Sequence, residues 1–287
     1  MSKKLTLGFS PCPNDTFMFD AMVHGKIDTA GLEFEVVMDD VEALNQRAMK
    51  GELDVTKISF AAFTKATDKY LLLSSGSALG NGVGPLVVSN TNLSFSELNN
   101  SNLKIAIPGA NTTANFLFSI FFLQATNKKE MIFSEIENAV LSGKADAGVI
   151  IHENRFTFEK RGLKKICDLG ELWEKKTGQP IPLGGIAVRK NLPIEIQHKL
   201  SVVIKRSVEF AFANPDSSYE FVKANAQEMD EEVRKKHIAL YVNDYSINLG
   251  EIGRGAIEIF FQKALRAGVI NSIPGNIFVN NLVEAEK

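Results

Sequence analysis

Two periodicities alternate along the first 60 residues. Leu5-Thr-Leu-Gly-Phe9 predicts a short strand, and Thr16 to Val23 is apolar at helical spacing. Leu32-Glu-Phe-Glu-Val-Val37 alternates as a strand does, and Val41 to Met49 predicts a helix stopped by Gly51. Leu53 to Phe60 is a third strand. Strands that alternate with helices imply parallel pairing, with helices on the sheet faces. Two more apolar segments, Tyr70 to Leu73 and Pro85 to Val88, flank a stretch with Gly76, Gly80, Gly82 and Gly84 that reads as a bend. The chain then turns polar at Ser89-Asn-Thr-Asn-Leu-Ser94, and the pattern restarts.

The restart is a repeat. Leu7-Gly-Phe-Ser-Pro-Cys-Pro-Asn-Asp-Thr-Phe-Met-Phe19 lies over Ile105-Ala-Ile-Pro-Gly-Ala-Asn-Thr-Thr-Ala-Asn-Phe-Leu-Phe118 as strand, small polar loop and aromatic-rich helix. Gly51-Glu-Leu-Asp54-Val leads into Lys57-Ile-Ser59 as Gly143-Lys-Ala-Asp146-Ala leads into Ile150-Ile-His152. In each, a helix stops at glycine, an Asp opens a strand and a polar residue ends it. The chain is therefore expected to be α/β with two lobes built alike, each a mixed, mostly parallel sheet flanked by helices. Lobe 1 is assigned residues 1–90 plus 187–287, and lobe 2 residues 91–186. Gln179 to Val188 is expected to be a stiff turn and a strand returning to the first lobe. Gln197 to Ala213, Ser217 to Ala226, Glu231 to Tyr241 and Gly250 to Ala267 are expected to be helices packing back on it.

Two crossings between lobes make a hinge and a cleft, and ligands of open α/β sheets bind beyond the carboxyl ends of the strands. Ser10 to Thr16, Lys57 to Ser59, Pro108 to Ala114 and Ile150 to Asn154 end there. A helix N-terminus offers unpaired amides and a positive dipole end to an anion, which makes Thr112-Thr113-Ala114 a candidate carboxylate cradle. Its threonines can cap the helix or donate a hydroxyl, as can Asn14-Asp15-Thr16.

His152 ends the apolar strand Ala147-Gly-Val-Ile-Ile151 at the cleft edge, where an imidazole can serve as general base or simply hydrogen-bond a strand end. Glu153, next to it, would face the opposite side of a continuing strand. His24 is expected to cap a helix, and His198 and His237 to be solvated. Cys12 between prolines reads as structural, Ser59 as a ligand hydrogen bond, and Trp173 as core or an aromatic wall. Arg155, Arg189 and Arg254 could each meet a carboxylate or pair with surface acids, the latter being favoured for Arg254.

Composition narrows the function classes. Lys+Arg 32 against Asp+Glu 34 leaves a formal net charge of -2, which excludes a nucleic-acid binder built on a basic surface. With 45% hydrophobic and 23% charged residues an ordinary core forms. Two cysteines make no disulfide framework, and no metal cluster or cofactor motif emerges. Phe116 to Leu123 is too short for a membrane helix, and Leu5 to Phe9 is too short for a secretion signal, so a cytoplasmic location is expected.

Several segments together carry a family resemblance. They are Ser10-Pro-Cys-Pro-Asn-Asp-Thr-Phe17, Lys57-Ile-Ser-Phe60, Pro108-Gly-x-x-Thr-Thr-Ala114, Gly148-Val-Ile-Ile-His-Glu153, Asp168-Leu-Gly-Glu-x-Trp-Glu174 and Pro180-Ile-Pro-Leu-Gly-Gly185. They resemble the 1,4-dihydroxy-6-naphthoate synthase family of the futalosine route to menaquinone. The resemblance implies a two-lobed fold of the type II periplasmic-binding-protein kind. It also implies conversion of cyclic dehypoxanthinyl futalosine to 1,4-dihydroxy-6-naphthoate with release of dihydroxyacetone, a carbon–carbon lyase reaction without cofactor. The family's proton acceptor falls on His152, and its substrate contacts fall on Lys57, Ile58 and Ser59 and on Thr112, Thr113 and Ala114. The expected partner is a small carboxylic acid, with no nucleic acid and no membrane. Two alternatives stand beside this reading: a chorismate dehydratase-like enzyme of the same route, and a non-catalytic solute-binding protein for a small organic acid.

Overall fold

The computed structural model describes residues 4–228 and 230–279. The first sheet takes β1 (Leu5–Phe9), β2 (Phe34–Met38), β3 (Val55–Ser59), β4 (Tyr70–Leu72) and β5 (Ala78–Gly80) from the start of the chain. The second takes β6 (Leu86–Ser89), β7 (Ile105–Ile107), β8 (Lys128–Glu130), β9 (Ala147–Ile150) and β10 (Lys164–Asp168), after which β11 (Ile181–Arg189) returns to the first. The orders are β2-β1-β3-β11-β4 and β8-β7-β9-β6-β10, with β5 paired to β11. In both sheets three parallel strands are continued through antiparallel pairings. The fold is α/β with mixed sheets, as the repeat predicted.

The repeat has a physical basis at its marked residues. Gly51 and Gly143 follow their helices at φ +75° and +71°, a left-handed conformation that glycine adopts without a Cβ penalty. The Asp54 carboxylate then accepts from Thr6 N at 3.0 Å, and Asp146 accepts from Lys104 N at 2.7 Å. Each Asp thereby ties the start of its own strand to the start of the central one.

Helices fill the connections. They are α1 (Pro13–Val23), α2 (Val41–Lys50) and the short α3 (Phe60–Phe63) in the first half, then α4 (Thr113–Phe121), α5 (Ile136–Leu141), α6 (Asn154–Thr157) and α7 (Leu169–Thr177). The remainder is α8 (Ile194–Ala213), α9 (Tyr219–Asn225), α10 (Glu231–Tyr241), α11 (Asp244–Ile247) and α12 (Gly250–Arg266). One face of the first sheet packs Leu7, Phe9 and Val55 against Phe19 of α1 and Leu200 and Val203 of α8. The other joins Ile58 and Leu72 to Phe116 of α4, Trp173 of α7 and Phe260 of α12, and this cluster continues into Ile107 and Val149 of the second sheet. One apolar core therefore runs between the sheets.

Three expectations need correction. The glycine-rich segment is not only a bend, because Ala78–Gly80 pairs antiparallel with β11. The sheets exchange between Gly80 and Leu86 and between Asp168 and Ile181, earlier than residues 90 and 187, since β6 already lies in the second sheet and β11 joins the first from Ile181. The turn before the last long helix holds the one-turn α11, closed by a capping box at Asn243 and Ser246.

At the first exchange point, a Cβ on Gly84 would stand 2.1 Å from the Gly170 backbone nitrogen, a contact that no rotamer relieves. Gly84→Ala should therefore lower stability by about 1–3 kcal/mol, the usual cost of overpacking. Gly255→Ala in α12, where a Cβ meets nothing within 4 Å, should raise it by about 0.5–1 kcal/mol through helix propensity. Urea midpoints read both, and equal midpoints for the two variants would contradict this packing.

Candidate active site

A cleft opens at the carboxyl ends of β1, β3 and β9 and at the start of α4. Lys57, Ile58, Ser59, Thr112, Thr113 and Ala114 all line it, and so does His152. Its free volume of about 90 Å³ is small beside the ~300–1,000 Å³ of typical ligand pockets.

The first-sheet wall is built on Asp15 at the start of α1. Its carboxylate accepts from Ser10 N at 3.1 Å, Ser10 Oγ at 2.7 Å and Asn14 Nδ2 at 2.8 Å. Lys57 Nζ lies 3.2 Å from the same carboxylate and donates to Gly76 O at 2.9 Å. The lysine charge is thus already balanced, and Lys57 anchors this wall as well as lining it. Asn45 grips Ser59 on both sides: Ser59 N donates to Asn45 Oδ1 at 2.9 Å, and Asn45 Nδ2 donates to Ser59 Oγ at 3.0 Å. The Ser59 hydroxyl keeps its own hydrogen for the cleft.

The facing wall is the first turn of α4. Both threonine hydroxyls are committed to the protein. Thr112 Oγ1 donates to Gly109 O at 2.8 Å and caps Asn115 N, while Thr113 Oγ1 donates to Leu183 O at 2.7 Å and accepts from Ala61 N. The first intrahelical bond is made by Phe116 N to Thr112 O. The amides of Thr113 and Ala114 precede it, and they are the groups this wall can offer an anion.

His152 sits just past β9 at φ +57°, a left-handed conformation uncommon for a residue with a side chain. That turn breaks the alternation expected of a continuing strand. Glu153 therefore does not point away: its carboxylate, a His152 ring nitrogen and Cys12 Sγ all lie within 4.8 Å of one another. His237 also departs from expectation. It is fully buried in α10, its ring stacks 5.9 Å from that of His152, and its Nε2 meets Asn14 Oδ1 at 2.8 Å. Helical spacing carried that signal, since Val233 and Tyr241, four residues to either side, are buried too.

Burial sets the charge states here. It lowers His152 to about 4, the nearby Lys57 charge adding to it against the opposing pull of Asp15 and Asp40, and it drives His237 well below 6.5. It raises Glu153 to about 7 and the Cys12 thiol well above its usual value. The imidazoles are therefore neutral at working pH and the thiol is protonated. Thiol, carboxyl and imidazole are donor types that could hold a metal by releasing the thiol and carboxyl protons; with those protons in place the trio is an acid–base cluster.

The remaining candidates are structural. Arg155 pairs with Asp168 at 2.7 Å and donates to Gly82 O and Gly84 O, Arg189 donates to Gly51 O, and Arg254 donates to Ser74 Oγ at 3.0 Å rather than to a surface acid. Trp173 is buried in the core against Phe260, and His24 caps α1 with Nδ1 2.8 Å from Asp20 Oδ1. His198 is half-buried rather than solvated.

Residues 5–266 match the family model described as menaquinone biosynthesis. A 1,4-dihydroxy-6-naphthoate synthase of Thermus thermophilus is 42% identical over 96% of this chain and 99% of its own length. A solved Archaeoglobus fulgidus protein is 38% identical with a TM-score of 0.88, covering 94% of this chain and 99% of that one. A Candida albicans protein described as having the generic periplasmic-binding-protein fold matches with a TM-score of 0.65 at 13% identity, over 95% of this chain and 92% of that one. This last likeness shows the fold.

The half-buried imidazole has a measurable signature. The His152 ring resonances should titrate with a midpoint near 4, and a midpoint at about 6 or above would contradict the burial argument. Because the folded value lies below the unfolded one near 6.5, the unfolded chain takes the proton first as pH falls. This residue's contribution to stability is then complete above about 6.5 and lost on the way down through about 4.

Proposed function

The chain belongs to the menaquinone-biosynthesis family, and from this premise we propose that it converts cyclic dehypoxanthinyl futalosine to 1,4-dihydroxy-6-naphthoate with release of dihydroxyacetone. It acts as a carbon–carbon lyase without cofactor, with His152 as general base. The observation that carries this reading is the His152 imidazole lining the same cleft as the open first turn of α4.

The roles follow from the walls. The substrate carboxylate suits the Thr113 and Ala114 amides at the dipole's positive end, without a paired arginine. Lys57, Ile58 and Ser59 form the opposite wall, where the Ser59 hydroxyl can donate to the oxygen-rich sugar remnant. His152 takes a proton from the substrate, the carbon–carbon bond to the three-carbon fragment breaks, and its electrons enter the ring system as it becomes aromatic. The three-carbon fragment leaves as a neutral carbonyl compound, and the imidazolium returns the proton to the naphtholate oxygen that received the electron pair, so base and proton balance over the cycle.

A base near 4 is always available but weak, and the negative charge of a bound carboxylate raises its basicity at the step where that matters. Closure of the sheets over the ligand excludes water and holds the reacting carbon against the imidazole. The reading takes a small carboxylic acid as partner and the cytoplasm as compartment. No helix among the described residues is long and apolar enough to cross a membrane.

His152→Ala should lower kcat ~100- to 10,000-fold, the usual contribution of a positioned base, while the affinity for the naphthoate product stays unchanged. Ultraviolet absorbance of the product follows both. Turnover near the parent rate in that variant removes His152 from the mechanism.

A further inference from the structure

Behind His152 runs a line of buried polar groups that the reaction as written does not use. Its far end is Asp15, an acceptor toward Ser10 and Lys57. Asn14 Nδ2 donates to Asp15, which turns Asn14 Oδ1 toward His237 Nε2 as an acceptor. An acceptor at that place assigns the His237 hydrogen to Nε2 and leaves Nδ1 a bare lone pair. Nδ1 looks at Glu153 Oε2 across 4.0 Å. His237 is 0% and Glu153 4% exposed, and neither Glu153 oxygen nor His237 Nδ1 has a hydrogen-bond partner among the described residues. Lone pairs facing each other in a dry site repel, whereas one hydrogen on the carboxyl makes the same arrangement attractive.

We propose that Glu153 is a positioning residue for His152: a carboxylic acid that directs its hydrogen at His237 Nδ1 and offers its carbonyl oxygen to the ring N–H of His152 facing away from the cleft. It rests on the reading of His152 as general base. Such an acceptor leaves the lone pair of His152 on the cleft side, the tautomer a base needs. Glu153 Oε2 stands 4.0 Å from His237 Nδ1, and the carboxyl lies within 4.8 Å of a His152 ring nitrogen.

The groups around Glu153 favour the neutral acid. Cys12, His152 and His237 face it from inside as uncharged groups. Glu137, Lys160, Arg161, Glu228 and Asp230 surround its outer side. Arg161 is committed to Glu137, Lys160 makes no bond to Glu153, and the Glu228 charge opposes ionisation.

The test uses the full unliganded chain with ring-15N histidine and carboxyl-13C glutamate. The Glu153 carboxyl, assigned by its loss in Glu153→Gln, should be protonated at about pH 6, and His152 should show one ring tautomer. Glu153→Ala should mix the His152 tautomers and lower kcat at least about tenfold with KM little changed. Glu153→Gln keeps a carbonyl acceptor and an N–H donor in the same places, so it should restore the single tautomer and most of kcat. An ionised Glu153 at about pH 6 overturns the proposal, as does a His152 tautomer that Glu153→Ala leaves unmoved. If Glu153→Ala does not fold, the parent titration and the Glu153→Gln spectra still decide. The spectra need no substrate, so a failure of the proposed reaction shows in turnover alone.

Discussion

The site depends on one residue turning left-handed where a strand ends. At φ +57° His152 leaves the line of β9, and this places two consecutive side chains, an imidazole and a carboxyl, in the same interior. A right-handed or extended residue would send them to opposite faces and dissolve the cluster with Cys12. Backbone strain at a cleft is held by its surroundings. Here the ring is packed 4.8 Å from Phe133 and 5.9 Å from His237, which fixes the side chain on the far side of that turn.

The paired sheets give this turn something to face. β3 and β9 occupy equivalent places in the two orders, so Ser59 and His152 end equivalent strands and arrive in one cleft. The α4 turn follows β7 as α1 follows β1, which sets two helix starts, Asp15 on one and Thr113 on the other, about the same space. The duplicated topology thereby supplies one polar, charge-balanced wall and a second wall made by the first turn of α4. His152 stands between them, and among the described residues no arginine lines the cleft. α10 adds what neither half contains, since His237 and Tyr241 come from the C-terminal helices and close the back of the cluster.

Much of this was legible in the sequence because it was written in local marks. Glycine after a helix, Asp at a strand start and small polar residues before a helix are dictated by backbone geometry, and they located the repeat and the residues that line the cleft. What escaped was tertiary. Period-two alternation assigned Glu153 to the wrong side because nothing in Ile150-Ile-His-Glu153 announces a left-handed residue. His237 follows Arg234-Lys-Lys236 and so looked solvated, although its spacing from Val233 and Tyr241 marks the inward face of α10. The threonine hydroxyls looked free because their acceptors, Gly109 O and Leu183 O, are known only once the chain has folded.

The account turns on an acid held at the start of α4 with its ring against His152. Amide and imidazole shift mapping during titration with 1,4-dihydroxy-6-naphthoate tests this directly. The account predicts the largest changes at the Thr113 and Ala114 amides and at the His152 ring, saturating together with one affinity. Saturating changes confined to residues outside the cleft, with those three groups unmoved, would contradict it.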